Sequence, residues 1–115
     1  MDDDFVFRYS IEDAENDGVL FKIFLVNPDW EKGIFSHVTT NLLSYGYEES
    51  GIIKLPNLLD LLNQCATLVH EQSEGYKNYD YKFSGKIEFP NGEKKEVWIC
   101  ENEIGKFTIM LPEDY

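Results

Sequence analysis

The sequence predicts an α+β domain: an antiparallel β-meander with one long helix and two short helices packed on one face. Three observations predict it. Apolar residues recur at helical spacing through 56–72, with Leu58, Leu61, Leu62, Cys65, Leu68 and Val69 on one side. The period then drops to two: Tyr79, Tyr81, Phe83, Ile87 and Phe89 alternate with Asp80, Lys82, Ser84, Lys86 and Glu88. Last, Pro90-Asn91-Gly92-Glu93 marks a hairpin, because Asn-Gly accepts the positive φ angles of tight turns.

In chain order, residues 1–4 read as an acidic flexible tail. Phe5 to Tyr9 form an aromatic segment, either a strand at a sheet edge or an arm on the core. Ser10 is a helix N-cap, with Asp13 three residues on. Glu12, Asp13 and Glu15 place negative charge in the first turns, where the helix dipole favours it, and Asp17-Gly18 closes the helix. The apolar run Val19 to Val26 reads as a strand or extended core segment, ended by Asn27-Pro28.

Residues 29–33 are a turn. Ser36 or Thr39 caps a second short helix through Val38, Leu42, Leu43 and Tyr45, stopped by Gly46. Pro56 suits the first turn of the long helix, where its missing N–H has no partner to lose. Strands follow near 79–89, 94–101 and 106–111, and 19–26 is a further candidate to join their sheet. Gly85 interrupts the first of them and marks a bulge or a twist. With 115 residues and no repeat or linker, residues 1–115 make a single domain.

The chain is 43% hydrophobic and 15% aromatic, too apolar for disorder. Its formal net charge is −12, which argues against direct contact with nucleic acid or an anionic membrane. No apolar run approaches the ~20 residues that span a bilayer. The start Met1-Asp2-Asp3-Asp4 is the opposite of a basic signal-peptide opening, so a cytoplasmic location is expected. Cys65 and Cys100 sit among apolar residues and read as buried free thiols, ahead of a disulfide.

Chemistry is sparse. The metal-ligating types are His37, His70, Cys65, Cys100 and scattered carboxylates, with no Cys-x-x-Cys, His-x-x-x-His or calcium-loop spacing. No nucleophile elbow or Gly-x-Gly phosphate loop occurs. The pairs Glu12/Glu15 and Glu101/Glu103 read as solvated, whereas acid–base work needs one carboxyl in an apolar cleft. The expectation is no enzyme, no catalytic residue, no metal and no cofactor.

Charge distribution is the most informative signal. Asp2, Asp3, Asp4, Glu12, Asp13, Glu15 and Asp17 face one base, Arg8, so 2–17 carries half of the total −12. Elsewhere acids alternate with lysines. Such a patch can imitate DNA phosphates or dock on a basic groove of another protein, although a charge run is more often a solvated surface. Trp30, Tyr45, Tyr47, Tyr76 and Trp98 exceed what a core this size needs. Trp98 reads as core, and Trp30, between Asp29 and Glu31, is the better interface anchor.

Two stretches also carry a resemblance. Tyr9-Ser10 through Asp17-Gly18-Val19-Leu20, and Phe107-Thr108-Ile109-Met110-Leu111-Pro112-Glu113-Asp114, resemble the two ends of a family of small proteins of unknown function from bacteria, phages and plasmids. Members open with Tyr-Ser/Thr, a short helix with Ala and Asp-Gly-Val-Leu, and close near Ile-Thr-Ile-Met-Leu-Pro-Glu-Asp. The resemblance spans nearly the whole chain, but 27–47 departs from the family. It implies a mobile-element setting and brings no activity.

The expectation is therefore a small acidic, non-enzymatic binding protein. Its partner is the basic surface of another protein, such as a nucleic-acid-binding defence effector that it inhibits in anti-CRISPR or anti-restriction fashion. The candidate contact residues are Asp2, Asp3, Asp4, Glu12, Asp13, Glu15, Asp17 and Trp30. The alternative is an accessory domain with a small-molecule pocket or a homodimer interface. Sequence leaves the oligomeric state open.

Overall fold

The structure, a computed structural model, describes Glu15, residues 18–74 and residues 82–115. The tail at 1–4, the segment 5–9, the proposed cap Ser10, the aromatic Tyr76 and the strand start at 79–81 lie outside the described residues. So do Glu12, Asp13 and Asp17.

The architecture is mixed α and β: a five-stranded, mostly antiparallel sheet with one long helix and several short turns of helix. In chain order the strands of the main sheet are β1 (Leu20–Lys22), β2 (Phe35–Thr39), β5 (Lys82–Glu88), β6 (Lys94–Glu101) and β7 (Phe107–Met110). A separate small hairpin joins β3 (Glu48–Glu49) to β4 (Ile52–Ile53). The helices are α1 (Thr40–Leu43) and α2 (Leu55–Glu74), so the long helix runs slightly beyond the expected 56–72. The sheet order is β1-β2-β7-β6-β5.

The expected meander is present as β5, β6 and β7, each antiparallel to the next. The hairpin forms at Asn91-Gly92, but only the glycine takes a positive φ: Gly92 sits at φ +91 and its N–H donates to Phe89 C=O at 2.8 Å. Three expectations need correction. The sheet is not wholly antiparallel, because β2 runs parallel to β7. The run 19–26 gives a strand only at Leu20–Lys22, then turns into a 3-10 helix, Ile23–Leu25, that sends Ile23 into the core. The second short helix covers Thr40–Leu43 alone; Thr39 caps it by accepting from Leu42 N–H at 3.3 Å, and Ser36 lies in a strand.

Of the bulge or twist expected at Gly85, the bulge is absent. The register from Lys82↔Cys100 to Glu88↔Lys94 is unbroken, so no bulge occurs there. The glycine instead admits α2: a Cβ at 85 would stand 2.6 Å from Leu68 Cδ2. Helix and sheet enclose Leu58, Leu61 and Cys65 with Ile87, Val97, Ile99, Ile109 and Val38. Burying this cluster drives folding. The outer edge of β5 is closed by the same helix. Gln64 accepts from Glu88 N–H and donates to its C=O, both at 2.9 Å, and Gln72 donates to Ser84 C=O at 2.6 Å.

Side-chain alternation puts Val38, Ile109, Ile99 and Phe83 on the helix-covered face and His37, Thr108, Cys100 and Lys82 on the other. Glu15 meets His37 on that other face. Two aromatics are also placed otherwise than read. Tyr47 is fully buried, edge-on to Phe89 at 5.7 Å. Trp98 is half-buried outside the core cluster, with Lys82 Nζ 3.4 Å from its ring centre and Tyr115 at 5.3 Å.

The stretches at Gly18 and at Pro112–Asp114 have structural work. Gly18 takes φ +78, which suits glycine, and its C=O accepts from Thr40 Oγ1 at 2.8 Å. At the other end, Pro112–Asp114 form a 3-10 turn. The Asp114 carboxylate accepts from Thr39 Oγ1 at 2.7 Å, Asn41 Nδ2 at 3.0 Å and Leu111 N–H at 3.1 Å. It ties the last turn to the start of α1.

Candidate functional site

The site begins with an irregularity in β2. Phe35 pairs with Phe107 and His37 with Thr108, so Ser36 is an extra residue in the ladder. An extra residue shifts the alternation and puts neighbouring side chains on the same side. Ser36 and His37 accordingly touch, Oγ to Nδ1 at 2.6 Å. Both are buried in an inner strand whose five residues are all buried.

The two belong to a longer chain of polar contacts. His37 Nε2 bonds to the Glu15 carboxylate. Ser36 Oγ accepts from Asn102 Nδ2 at 2.8 Å, and that amide also donates to Thr108 Oγ1 at 3.0 Å. A carboxylate only accepts, so the hydrogen on the imidazole facing Glu15 is assigned to Nε2, and Ser36 gives its own proton to Nδ1. This single assignment satisfies each group, as buried polar atoms require.

Asn102 also shapes the loop beyond β6. Its Oδ1 accepts from Ile104 N–H at 3.2 Å and Lys106 N–H at 3.1 Å. Gly105, at φ +80, completes the turn. The loop brings Lys106 across to the 3-10 helix Pro28–Lys32, where Nζ donates to the carbonyls of Glu31 and Gly33. That helix starts at Asn27, whose side chain accepts from Asp29 N–H at 3.0 Å.

Between these loops and β2 lies an open cavity of about 420 Å³. Ile23, Phe24, Trp30, Phe35 and Ile104 form its apolar wall. Ser36 and His37 lie along it, and Glu15, Lys22, Glu31, Glu103 and Lys106 supply its charges. Lys22 is committed inside the chain, 3.5 Å from Glu15 Oε1 and 5.0 Å from the Phe24 ring centre. Ile104 is 56% exposed, and the exposed Leu25 and Ile34 adjoin wall residues Phe24 and Phe35 in the chain.

Two of the sequence-stated contact residues meet at this cavity, Glu15 and Trp30; Asp2, Asp3, Asp4, Glu12, Asp13 and Asp17 lie outside the described residues. Trp30 is half-buried and packs on the core while lining the cavity, rather than standing free in a turn. Glu15 is engaged internally. Burial works to raise its pKa, but the hydrogen bond to His37 and the charge of Lys22 hold the carboxyl below its ordinary 4.5. Sequence reading took Ser36 as a helix-cap candidate and His37 only as a metal-ligating type, and missed Asn102. The available signal was Asn102 three residues before Gly105, a side chain placed to organise a turn.

The thiols lie apart from this cavity. Both are buried and free; burial pushes Cys65 up to about 12 and raises Cys100, against a smaller opposing pull from Lys82. Among the described residues no group of three His, Cys, Asp or Glu side chains is arranged to hold a metal, and no helix is long and apolar enough to cross a membrane. No protein-family model, curated protein or solved structure matches the chain.

Proposed function

We propose that the chain is a small acidic, non-enzymatic binding protein of phage or mobile-element type that acts through a protein–protein interface centred on the cavity beside Trp30. The target is the basic surface of a nucleic-acid-binding protein, and inhibition of a host defence nuclease is the form to test first. The observation that carries the reading is the meeting, at one concave site, of an apolar aromatic wall with the carboxylates of Glu31 and Glu103, in a protein of net charge −12. Trp is a frequent anchor at interface centres.

The binding reading is favoured over catalysis by the state of Ser36. Ser36 bonds to His37 and His37 to Glu15, as in a nucleophile–base chain, but Ser36 and His37 are buried at 7% and 2% exposure in an inner strand, and the Ser36 oxygen already accepts from Asn102. The raised thiols supply little thiolate.

Affinity capture from a native host, read by mass spectrometry at low and high salt, tests the proposal. A nucleic-acid-binding protein should be retained at low salt, released at high salt and weakened by Trp30→Ala. Salt-insensitive capture, or none, counts against it. One observation favours a second reading, a small-molecule site: the cavity volume of about 420 Å³ falls within the size of ligand pockets. A ligand that raises the melting temperature by mass action would support that reading instead.

A further inference from the structure

We infer that the cavity beside Trp30 receives an arginine side chain of the partner, its guanidinium lying on the indole and pairing with Glu31. The inference rests on the binding reading and says what enters the site. Two cations already border the cavity, and both are consumed within the chain. Lys106 Nζ donates to the carbonyls of Glu31 and Gly33, and Lys22 pairs with Glu15. An incoming anion would have to take one of these lysines from its partner.

An incoming cation meets the opposite situation. The Glu31 residue is exposed at the rim, next in sequence to the aromatic wall. A net charge of −12 attracts positive groups from a distance. The chain itself shows the type of contact: Lys22 Nζ lies 5.0 Å from the Phe24 ring centre at this same wall, with the Glu15 carboxylate beside it. Guanidinium suits the site better than ammonium, because it is flat, stacks on aromatic faces, sheds water more easily and pairs with carboxylate through two parallel N–H groups. A purely apolar side chain would fill the wall and leave the carboxylate unused.

The test uses the full chain with nona-arginine and nona-lysine peptides, which carry the same charge. Affinity is measured by calorimetry at low salt. In a Trp98→Phe background, Trp30 is the sole tryptophan and reports by fluorescence. The expected result is binding about tenfold tighter for nona-arginine, with a change in Trp30 emission. Glu31→Gln, at an exposed position, and Trp30→Phe should each bring nona-arginine down toward nona-lysine. Equal binding of both peptides with no change in Trp30 emission overturns the arginine site but leaves the binding reading intact. Failure of both peptides to bind at low salt sinks the binding reading as well.

Discussion

Leu68 of α2 lies so close over Gly85 of β5 that a Cβ at position 85 would come within 2.6 Å of Leu68 Cδ2 and 3.1 Å of Cδ1. Glycine is ordinarily a poor strand residue, yet here its missing side chain leaves room for the tip of Leu68. Gly85→Ala should destabilise the fold by ~1–3 kcal/mol, as overpacking does. Leu68→Ala should recover part of that loss in the double variant, because the residues share one contact. Urea unfolding of the four proteins measures the coupling; additive losses would show that the close approach is not what constrains position 85.

Glu15 gives the pH dependence a sign. Its carboxyl is held below the ordinary 4.5 in the folded chain, so the unfolded chain binds a proton first as pH falls. The stabilisation is present above 4.5 and is lost as pH falls through the lower folded value. Glu15→Gln should flatten the acid limb of the urea midpoint against pH, with the larger loss at neutral pH. An acid limb identical to the parent's would remove Glu15 from the account.

Tyr47 is wholly buried, and its hydroxyl has no hydrogen-bond partner among the described residues. A buried hydroxyl without a partner costs ~1–3 kcal/mol. Tyr47→Phe keeps the edge contact with Phe89 and should therefore leave stability unchanged or raise it, read as the thermal midpoint. Tyr47→Ala should cost ~3–5 kcal/mol, the range for emptying a large aromatic site.

The glutamines at the edge of β5 predict an association phenotype. Gln64→Ala with Gln72→Ala uncovers Ser84 C=O and both backbone groups of Glu88. Stability should fall by about 0.5–1.5 kcal/mol per lost contact. The double variant should also self-associate at concentrations where the parent does not, since an open strand edge is a pairing template. Sedimentation velocity across a concentration series measures it.

The two thiols should stay silent in the folded state. Burial holds Cys65 at about 12 and raises Cys100, so aromatic disulfide reagents should label neither at a rate above that of global opening. Labelling in urea should follow the unfolding curve. Fast labelling of Cys100 in native buffer would show that its strand face opens locally.

Periodicity alone placed α2, the β5–β6 hairpin and β7, because each is a local pattern whose buried residues repeat at the spacing of its own backbone. Composition alone gave the acidic balance and the free thiols. Strand β2 escaped for a physical reason. The extra residue at Ser36 breaks the two-residue alternation and leaves Phe35, Val38 and Leu42 spaced three and four apart, which imitates a helix. Pairing with β1 on one side and, on the other, with β7, some seventy residues further along the chain, makes that stretch extended. The cavity followed from the same step, since Glu15, Trp30, His37 and Lys106 share no local pattern and come together when β2 is set between β1 and β7. What each residue is was written in the sequence; which residues face one another was decided by strand pairing at a distance, which no local period encodes.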